Sequence, residues 1–425
     1  MSPVAVVSIL LGFLASGMGI FVALGTISLI LFWIDGTPFV GGAQVVLDRL
    51  NSDALIAVPF FVIAATFMQS GGIAKALIDA ANAWVGRLQG GLALVCVVAT
   101  TVFAAISGSS VATALAMGTI LIPAMVEQKY ERKFALGVVG GSGTLGILIP
   151  PSLALIVFAI VAEESVPRLF LAGVIPGLMQ AVLFGAFIFW YARRHNYPKG
   201  DPISMNEFLR VNIRALPAMA IPLVIFVGIY GGIVTVSEAA ALSAVIAIGA
   251  GIHVYRAVRY RDVFGQLAES FKVSGSIIVI VASALMFGHW ITESGVPARL
   301  VEAVTALDLK AWQFLLFMNI LMLVLGMFLE VIAVILITLP LVLPLLVAFD
   351  ISPIHYAIVV TVNMELALLT PPIGLNLYVL SSISKAPLAE VIRGVNPFIL
   401  LLLGLLILVT YVPELSTWLP NAVFE

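Results

Sequence analysis

Charged side chains interrupt this chain so sparsely that the gaps between them outline its elements. Lys, Arg, Asp and Glu are all absent from residues 54–74, 134–162, 169–192, 215–237, 273–292, 366–384 and 394–413. Each gap is close to or above the roughly 20 apolar residues that a helix needs to cross a bilayer. Residues 239–255 form one more such segment, with His253 near its end. Met1 to Ile34 is also uncharged and is broken near Gly17 and Gly19. It lacks the basic start of a signal peptide, so one or two retained helices are expected there.

Two long apolar stretches do not fit single crossings. Residues 88–126, uncharged between Arg87 and Glu127, and 311–349, between Lys310 and Asp350 with Glu330 as their one charge, are too long for one span and tight for two. Each is read as a re-entrant hairpin that returns to its own side, although two full spans with a tight turn satisfy the same parity. Irregular backbone at that depth is tolerated where it is buried in protein or lines a cavity. The basic residues agree, since cytoplasmic loops collect Lys and Arg. With Arg193, Arg194 and Lys199 inside, only Arg49, Arg168, Arg299 and Lys310 of the 20 basic residues fall outside. The C-terminus is then expected in the periplasm.

The chain also repeats. An offset of 221 positions superposes Pro123 on Pro344, Pro150-Pro151 on Pro371-Pro372, and Gly173, Val174 and Pro176 on Gly394, Val395 and Pro397. The expected division is 1–51 as N-terminal scaffold, 52–191 as first repeat and 192–271 as central linker and scaffold. Residues 272–412 are the second repeat and 413–425 a tail. Charge bias runs 54–74 outside to inside and 273–292 inside to outside, so the copies are expected to be inverted. Inverted repeats with discontinuous helices meeting at the midplane are the architecture of secondary transporters.

Composition fixes the class. Hydrophobic residues make up 62% of the 425 and charged residues 10%, against about 25% charged in a soluble domain. The expected fold is an all-α polytopic membrane protein with about 9–10 spans, two hairpins and two broken helices. A net charge of −2 offers no basic excess for nucleic acid. The single cysteine, Cys96, excludes an internal disulfide and a cysteine metal site.

The candidate chemistry lies where the apolar runs are broken. Gly-Ser-Gly-Thr-Leu-Gly-Ile-Leu-Ile-Pro-Pro-Ser (141–152) combines three glycines with a proline pair, which is expected to unwind the helix near mid-membrane. Freed carbonyls there could hold a cation, and the next helix N-terminus could face an anion. Glycines for close helix approach are the plainer alternative. The same stretch spells G-x-G-x-x-G, but no strand precedes it, so the dinucleotide reading is rejected. Its counterpart, Asn363 to Asn376, carries Asn363, Glu365, Thr370 and Asn376. Three roles are open to Glu365: cation ligand, proton carrier, or partner of a backbone donor. The hairpin tips fall at Ser107-Gly-Ser-Ser110 and near Gly326-Met-Phe-Leu-Glu330. Hydroxyls and carbonyls suit a hard cation without adding charge, and the serines serve equally as a helix cap.

No Lys or Arg lies inside a predicted span, so an anionic substrate would rely on helix N-termini and co-bound cations. His195, His253, His289 and His355 read as structural, and His-Glu-x-x-His is missing. Residues 73–86 and 262–271 look amphipathic and are expected to be interfacial helices or plain connectors. The spans contain no Asp, which leaves an intramembrane enzyme without a catalytic pair.

The Ser-Gly-Ser-Ser tip, GTLGILIPPS (143–152), GIVTVSEAAAL (232–242), GMFLE (326–330) and LLTPPIGLN (368–376) resemble the large membrane subunit of tripartite ATP-independent periplasmic (TRAP) transporters. The resemblance covers nearly the whole chain. It implies an elevator-type secondary transporter in a bacterial inner membrane, working with a small membrane subunit and a periplasmic binding protein. It implies sodium-driven uptake of an organic acid, often a carboxylate, with Na⁺ as coupling ion and no organic cofactor. Carried onto this chain, Ser107, Ser109 and Ser110 with Gly143, Thr144, Gly146 and Pro150–Pro151 would frame one ion site. Gly326, Asn363, Thr370, Pro371–Pro372 and Asn376 would frame its mirror. Substrate would lie between the hairpin tips, near Ser110, Glu330 and the proline pairs. Glu238, outside both repeats, is assigned to helix-end structure. The nearest rival is a binding-protein-independent sodium–carboxylate symporter of similar architecture.

Overall fold

Hydroxyl caps divide the apolar runs into helices: Ser52, Ser109, Ser152, Ser165, Ser204 and Thr235 each accept from a backbone N–H of the first helical turn. The computed structural model describes residues 3–36 and 38–424. The N-terminal helices are α1 (Pro3–Ala15) and α2 (Ile20–Asp35), parted around Gly17 and Gly19, then α3 (Phe39–Leu50). There follow α4 (Asp53–Ser70), α5 (Ile73–Val85), and a helical hairpin of α6 (Gly91–Ser107) and α7 (Ser110–Glu127). An interrupted helix comes next, α8 (Arg132–Leu148) and α9 (Leu153–Ala162), and then α10 (Val166–Arg194). The middle holds α11 (Met205–Tyr230) and α12 (Val236–Gly249), which runs on as a π-helical turn to Val254.

A second series of the same order ends the chain. It consists of α13 (Tyr260–Glu293), α14 (Val296–Thr305), a hairpin of α15 (Ala311–Gly326) and α16 (Val331–Ala348), the interrupted pair α17 (Pro353–Leu368) and α18 (Leu375–Ser384), and α19 (Leu388–Tyr411). The short α20 (Glu414–Phe424) follows. Moved by 221 positions, α7 lands on α16 at both ends, and the starts of α8 and α17 coincide. Nine helices among the described residues are long and apolar enough to cross a membrane by length and composition, α8 with α9 counting as one of them. All the regular structure among the described residues is helical, apart from an isolated bridge between Gln89 and Lys199.

Packing exchanges parts between the two series. The first hairpin sits against α8 of its own series and α18 of the other, while the second sits against α17 of its own and α9 of the first. α8 and α17 pack against each other between the hairpins. Around this centre, α4 packs on α12, and α13 packs on α2, α3 and α4.

Three expectations need correcting. The glycines of 141–146 do not unwind the helix: α8 continues through them, and only Ile149–Ser152 leave helical geometry. Proline removes the N–H that would carry the helix on, whereas these glycines make room for neighbours. A Cβ on Gly141 would lie 2.6 Å from the Phe398 ring, and one on Gly143 3.0 Å from the Ala114 methyl. Residues 262–271 are not a separate interfacial helix but the first turns of α13, uninterrupted by proline or a break. The tail is not a plain extension: α20 (Glu414–Phe424) packs on α10, with Ser416 held by the His355 ring at 2.8 Å, and Glu425 lies outside the described residues.

Candidate functional site

At the first hairpin tip, Gly108 takes φ +60°, in the region where only glycine is unstrained, and lets the chain reverse between α6 and α7. Ser109 caps α7. Ser107 Oγ lies 2.6 Å from Thr113 Oγ1, and Thr113 Oγ1 donates to the Ser109 carbonyl at 2.7 Å. The tip is seated on the first interruption: a Cβ on Gly108 would meet the Pro151 carbonyl at 3.0 Å, and one on Gly146 the Ser109 carbonyl at 2.6 Å. Ser107, Ser109, Ser110, Gly143, Gly146, Pro150 and Pro151 are therefore together, as expected.

Asn376 joins this group and not the opposite one. Its Nδ2 donates to Ser110 Oγ at 2.5 Å, tying the first turn of α18 to the first hairpin. Its Oδ1 is buried without a hydrogen-bond partner. Sequence symmetry could not reveal this, because the elements cross over between series.

The second tip is built differently. Gly326 is packed against the Met364 and Ala367 side chains, so its role here is close approach of α15 to α17. Glu330 caps α16, its Oε2 accepting from the Ile332 N–H at 3.0 Å. That N-terminus already carries a carboxylate. Asn363 Nδ2 donates to both the carbonyl oxygen (2.8 Å) and Oδ1 (3.0 Å) of Asn319, whose Nδ2 donates to Thr410 Oγ1 at 3.0 Å. Asn363 Oδ1 is buried and unpartnered. Thr370 Oγ1 bonds back to the Leu366 carbonyl at 2.6 Å. Pro371 and Pro372 are exposed, whereas Pro150 and Pro151 are buried.

Thr144 faces away from the hairpin tip. Its Oγ1 lies 2.9 Å from the Gly141 carbonyl and 3.2 Å from Glu365 Oε2, and accepts from Gln180 Nε2 at 2.9 Å. Gln180 and Asn319 were missed in the sequence. Gln180 is the lone amide of its uncharged run, and Asn319 is the one amide of α15 beyond the capping Gln313, and that isolation is the available signal. Glu238 behaves as expected, completing a capping box with Thr235 at the start of α12.

Four helices, α7, α9, α16 and α18, start at a tip or an interruption. Their N-terminal amides favour anions. The unpartnered amide oxygens of Asn363 and Asn376 are hard oxygen donors of the kind alkali cations take. The arrangement suits an ion and a carboxylate bound near each other without any buried basic side chain.

Residues 7–415 match the family described as "Tripartite ATP-independent periplasmic transporter, DctM component". The chain is 41% identical over 397 residues to the C4-dicarboxylate TRAP transporter large permease protein DctM of Pseudomonas aeruginosa, covering 93% of this chain and 92% of that one. It is 38% identical over 437 residues to the protein of the same description from Rhodobacter capsulatus, covering 99% of each. Its fold resembles the crystal structure of the Alcanivorax borkumensis YdaH transporter, with a TM-score of 0.60 at 13% identity over 92% of this chain and 96% of that one.

Proposed function

The chain belongs to the DctM family of tripartite ATP-independent periplasmic transporters, and on that premise we propose that it takes up a small organic acid, a C4-dicarboxylate, in symport with Na⁺. It is a multi-pass membrane transporter subunit and not an enzyme. The family works with a substrate-binding protein and usually a small membrane subunit, which disfavours the rival symporter that works without a binding protein. The substrate class follows the two relatives described as C4-dicarboxylate permeases.

The Ser110–Asn376 contact carries this reading. It brings a hairpin tip from one series to an interrupted helix of the other, beside an amide oxygen that nothing else satisfies. Na⁺ fits that donor set: Asn376 and the tip of Ser107–Ser110 would hold one ion, and Thr370 with the carbonyls before Pro371 another, while Asn363, about 10 Å down α17 and bonded to Asn319, is left out. The N-termini of α7, α9 and α18 would meet the carboxylates. Glu330 is left out of the substrate site, because its charge is spent on its own helix.

The two series are taken as inverted across the inner membrane, with the C-terminus in the periplasm and the hairpins and interrupted helices moving together as an elevator. One contact supports this. Thr144 and Glu365, which the 221-residue offset makes equivalent, lie against each other, as equivalent positions do on a two-fold axis. Cysteine labelling at positions 126 and 349 should then mark opposite faces of the membrane, and labelling from one face would end the inverted arrangement.

The functional test is uptake of labelled succinate into proteoliposomes holding this chain, its small membrane subunit and its binding protein. Uptake is expected only with an inward Na⁺ gradient and the binding protein. Equal uptake with K⁺ replacing Na⁺ would remove the symport, and uptake that ignores succinate but accepts an uncharged solute would remove the substrate class.

A further inference from the structure

Glu365 is fully buried in α17, at the level where α17, α8 and α10 meet. Its Oε2 lies 3.2 Å from Thr144 Oγ1, which is also 2.9 Å from the Gly141 carbonyl and 2.9 Å from Gln180 Nε2. Glu365 Oε1 and Gln180 Oε1 are both buried without a partner.

The hydrogens decide the state of this carboxyl. A threonine hydroxyl has one hydrogen to give and two lone pairs to receive with. Gln180 fills one lone pair. If Glu365 were ionised, Thr144 would have to split its single hydrogen between a carboxylate and the Gly141 carbonyl, and beyond the second Nε2 hydrogen of Gln180 the carboxylate would have no other side-chain donor among the described residues. An ion so placed costs several kcal/mol unless a counter-charge is near.

No counter-charge is near among the described residues. On α8 the charges are Arg132 and Lys133, about 17–18 Å along the axis from Thr144. On α10, Arg168 and the Arg193–Arg194 pair lie about 18–21 Å from Gln180 along the axis. On α17 the other ionisable groups are His355 and Tyr356, and the His355 ring faces Ser416 and Thr410. Glu390 and Arg393 stand in the first two turns of α19, where Arg393 is exposed, Glu414 starts α20, and Glu163 and Lys385 follow the ends of α9 and α18. The helices α15 and α16 hold no charge between Lys310 and Asp350 except the capping Glu330. Cys96 of α6 contacts Thr100.

With a proton on the carboxyl the hydrogens around Thr144 Oγ1 match its lone pairs, and the oxygens left over, Glu365 Oε1 and Gln180 Oε1, carry no full charge. Glu365 donates to Thr144 Oγ1, Thr144 accepts from both Glu365 and Gln180, and its own hydrogen goes to Gly141. We infer that Glu365 is a proton-binding site, an un-ionised carboxylic acid that joins α8 and α10 of the first series to α17 of the second. It is therefore not a ligand of the transported cation. This holds whatever the transported solute is, so its test is separate from that of the symport.

Infrared spectroscopy of the full-length chain in lipid nanodiscs with its small membrane subunit reads the acid directly. A C=O stretch of a protonated carboxyl is expected at pH 7, unchanged by adding NaCl in place of KCl and shifted by ¹³C-glutamate labelling. Glu365→Gln should remove the band. Gln180→Leu leaves the acid in place with one neighbour fewer and should move it, which covers the case in which Glu365→Gln fails to fold. A labelled sample with no protonated glutamate band at pH 7 would overturn the assignment. A band that disappears on adding Na⁺ would do so too, and would make Glu365 a cation ligand.

Discussion

Replacing Gly146 by alanine would put a methyl group 2.6 Å from the Ser109 carbonyl oxygen, 2.6 Å from Thr113 Oγ1 and 2.8 Å from the Ser109 carbonyl carbon. Carbon atoms settle about 3.5–4.0 Å apart, so the hairpin tip or α8 must retreat by about 1 Å. Thr113 can rotate away only by giving up its bonds to Ser107 and to the Ser109 carbonyl. The Ser109 carbonyl is backbone and has no rotamer to change. Overpacking of this kind costs about 1–3 kcal/mol. The perturbation also moves Ser110 relative to Asn376. The assay is thermal unfolding of the nanodisc-reconstituted protein beside Na⁺-driven succinate uptake in proteoliposomes. Gly146→Ala is expected to lower the unfolding temperature and to cut uptake at least tenfold. Gly404→Ala serves as control, because that glycine is exposed on α19 and a Cβ there meets nothing within 4 Å. Wild-type stability and uptake in Gly146→Ala would show that the tip is not seated on α8 as described.

Asn376→Ala and Ser110→Ala each break the same hydrogen bond, worth about 0.5–1.5 kcal/mol. The double variant should therefore be less destabilised than the sum of the singles in a thermal-unfolding cycle, and additive effects would deny the contact. Asn376→Ala should in addition raise the Na⁺ concentration for half-maximal uptake severalfold, an effect that Ser110→Ala shares only in part. Asn363→Ala leaves Asn319 facing a buried void and should cost about 1–3 kcal/mol; rescue of unfolding temperature by a second Asn319→Ala change is the check. Thr235→Ala removes one side of the capping box of α12 and should cost about 1 kcal/mol of stability, with uptake per folded molecule unchanged. A loss of uptake without a loss of stability would give Glu238 and its cap a direct part in transport.

The hairpins, both interruptions and the matched helix order were legible because proline and charge act locally. The two proline pairs interrupt their helices, whereas single prolines such as Pro59, Pro123 and Pro176 are carried inside α4, α7 and α10, and an uncharged run advertises its own length. What was not legible depended on partners distant in sequence. Glycines 141–146 read equally as a break or as packing, and only the positions of Phe398 and Ala114 decide for packing. Asn376 stands beside Ser110 and not in the mirror group that symmetry suggests, because the repeat relates positions, whereas the fold exchanges elements between repeats. The meeting of Thr144 with Glu365 lay hidden in the offset itself, since both occupy the same place in the two copies. Gln180 carried no signal beyond being polar in an apolar run.

Gly137 of α8 and Gly394 of α19 are so close that a methyl on Gly137 would lie 2.1 Å from the Gly394 carbonyl oxygen, and one on Gly394 2.1 Å from the Lys133 carbonyl. Two helices whose main chains rest on each other have no side-chain cushion to slide over. On the elevator movement proposed above, α8 and α19 are therefore expected to travel together as a single piece, with the boundary of the moving part at some other seam.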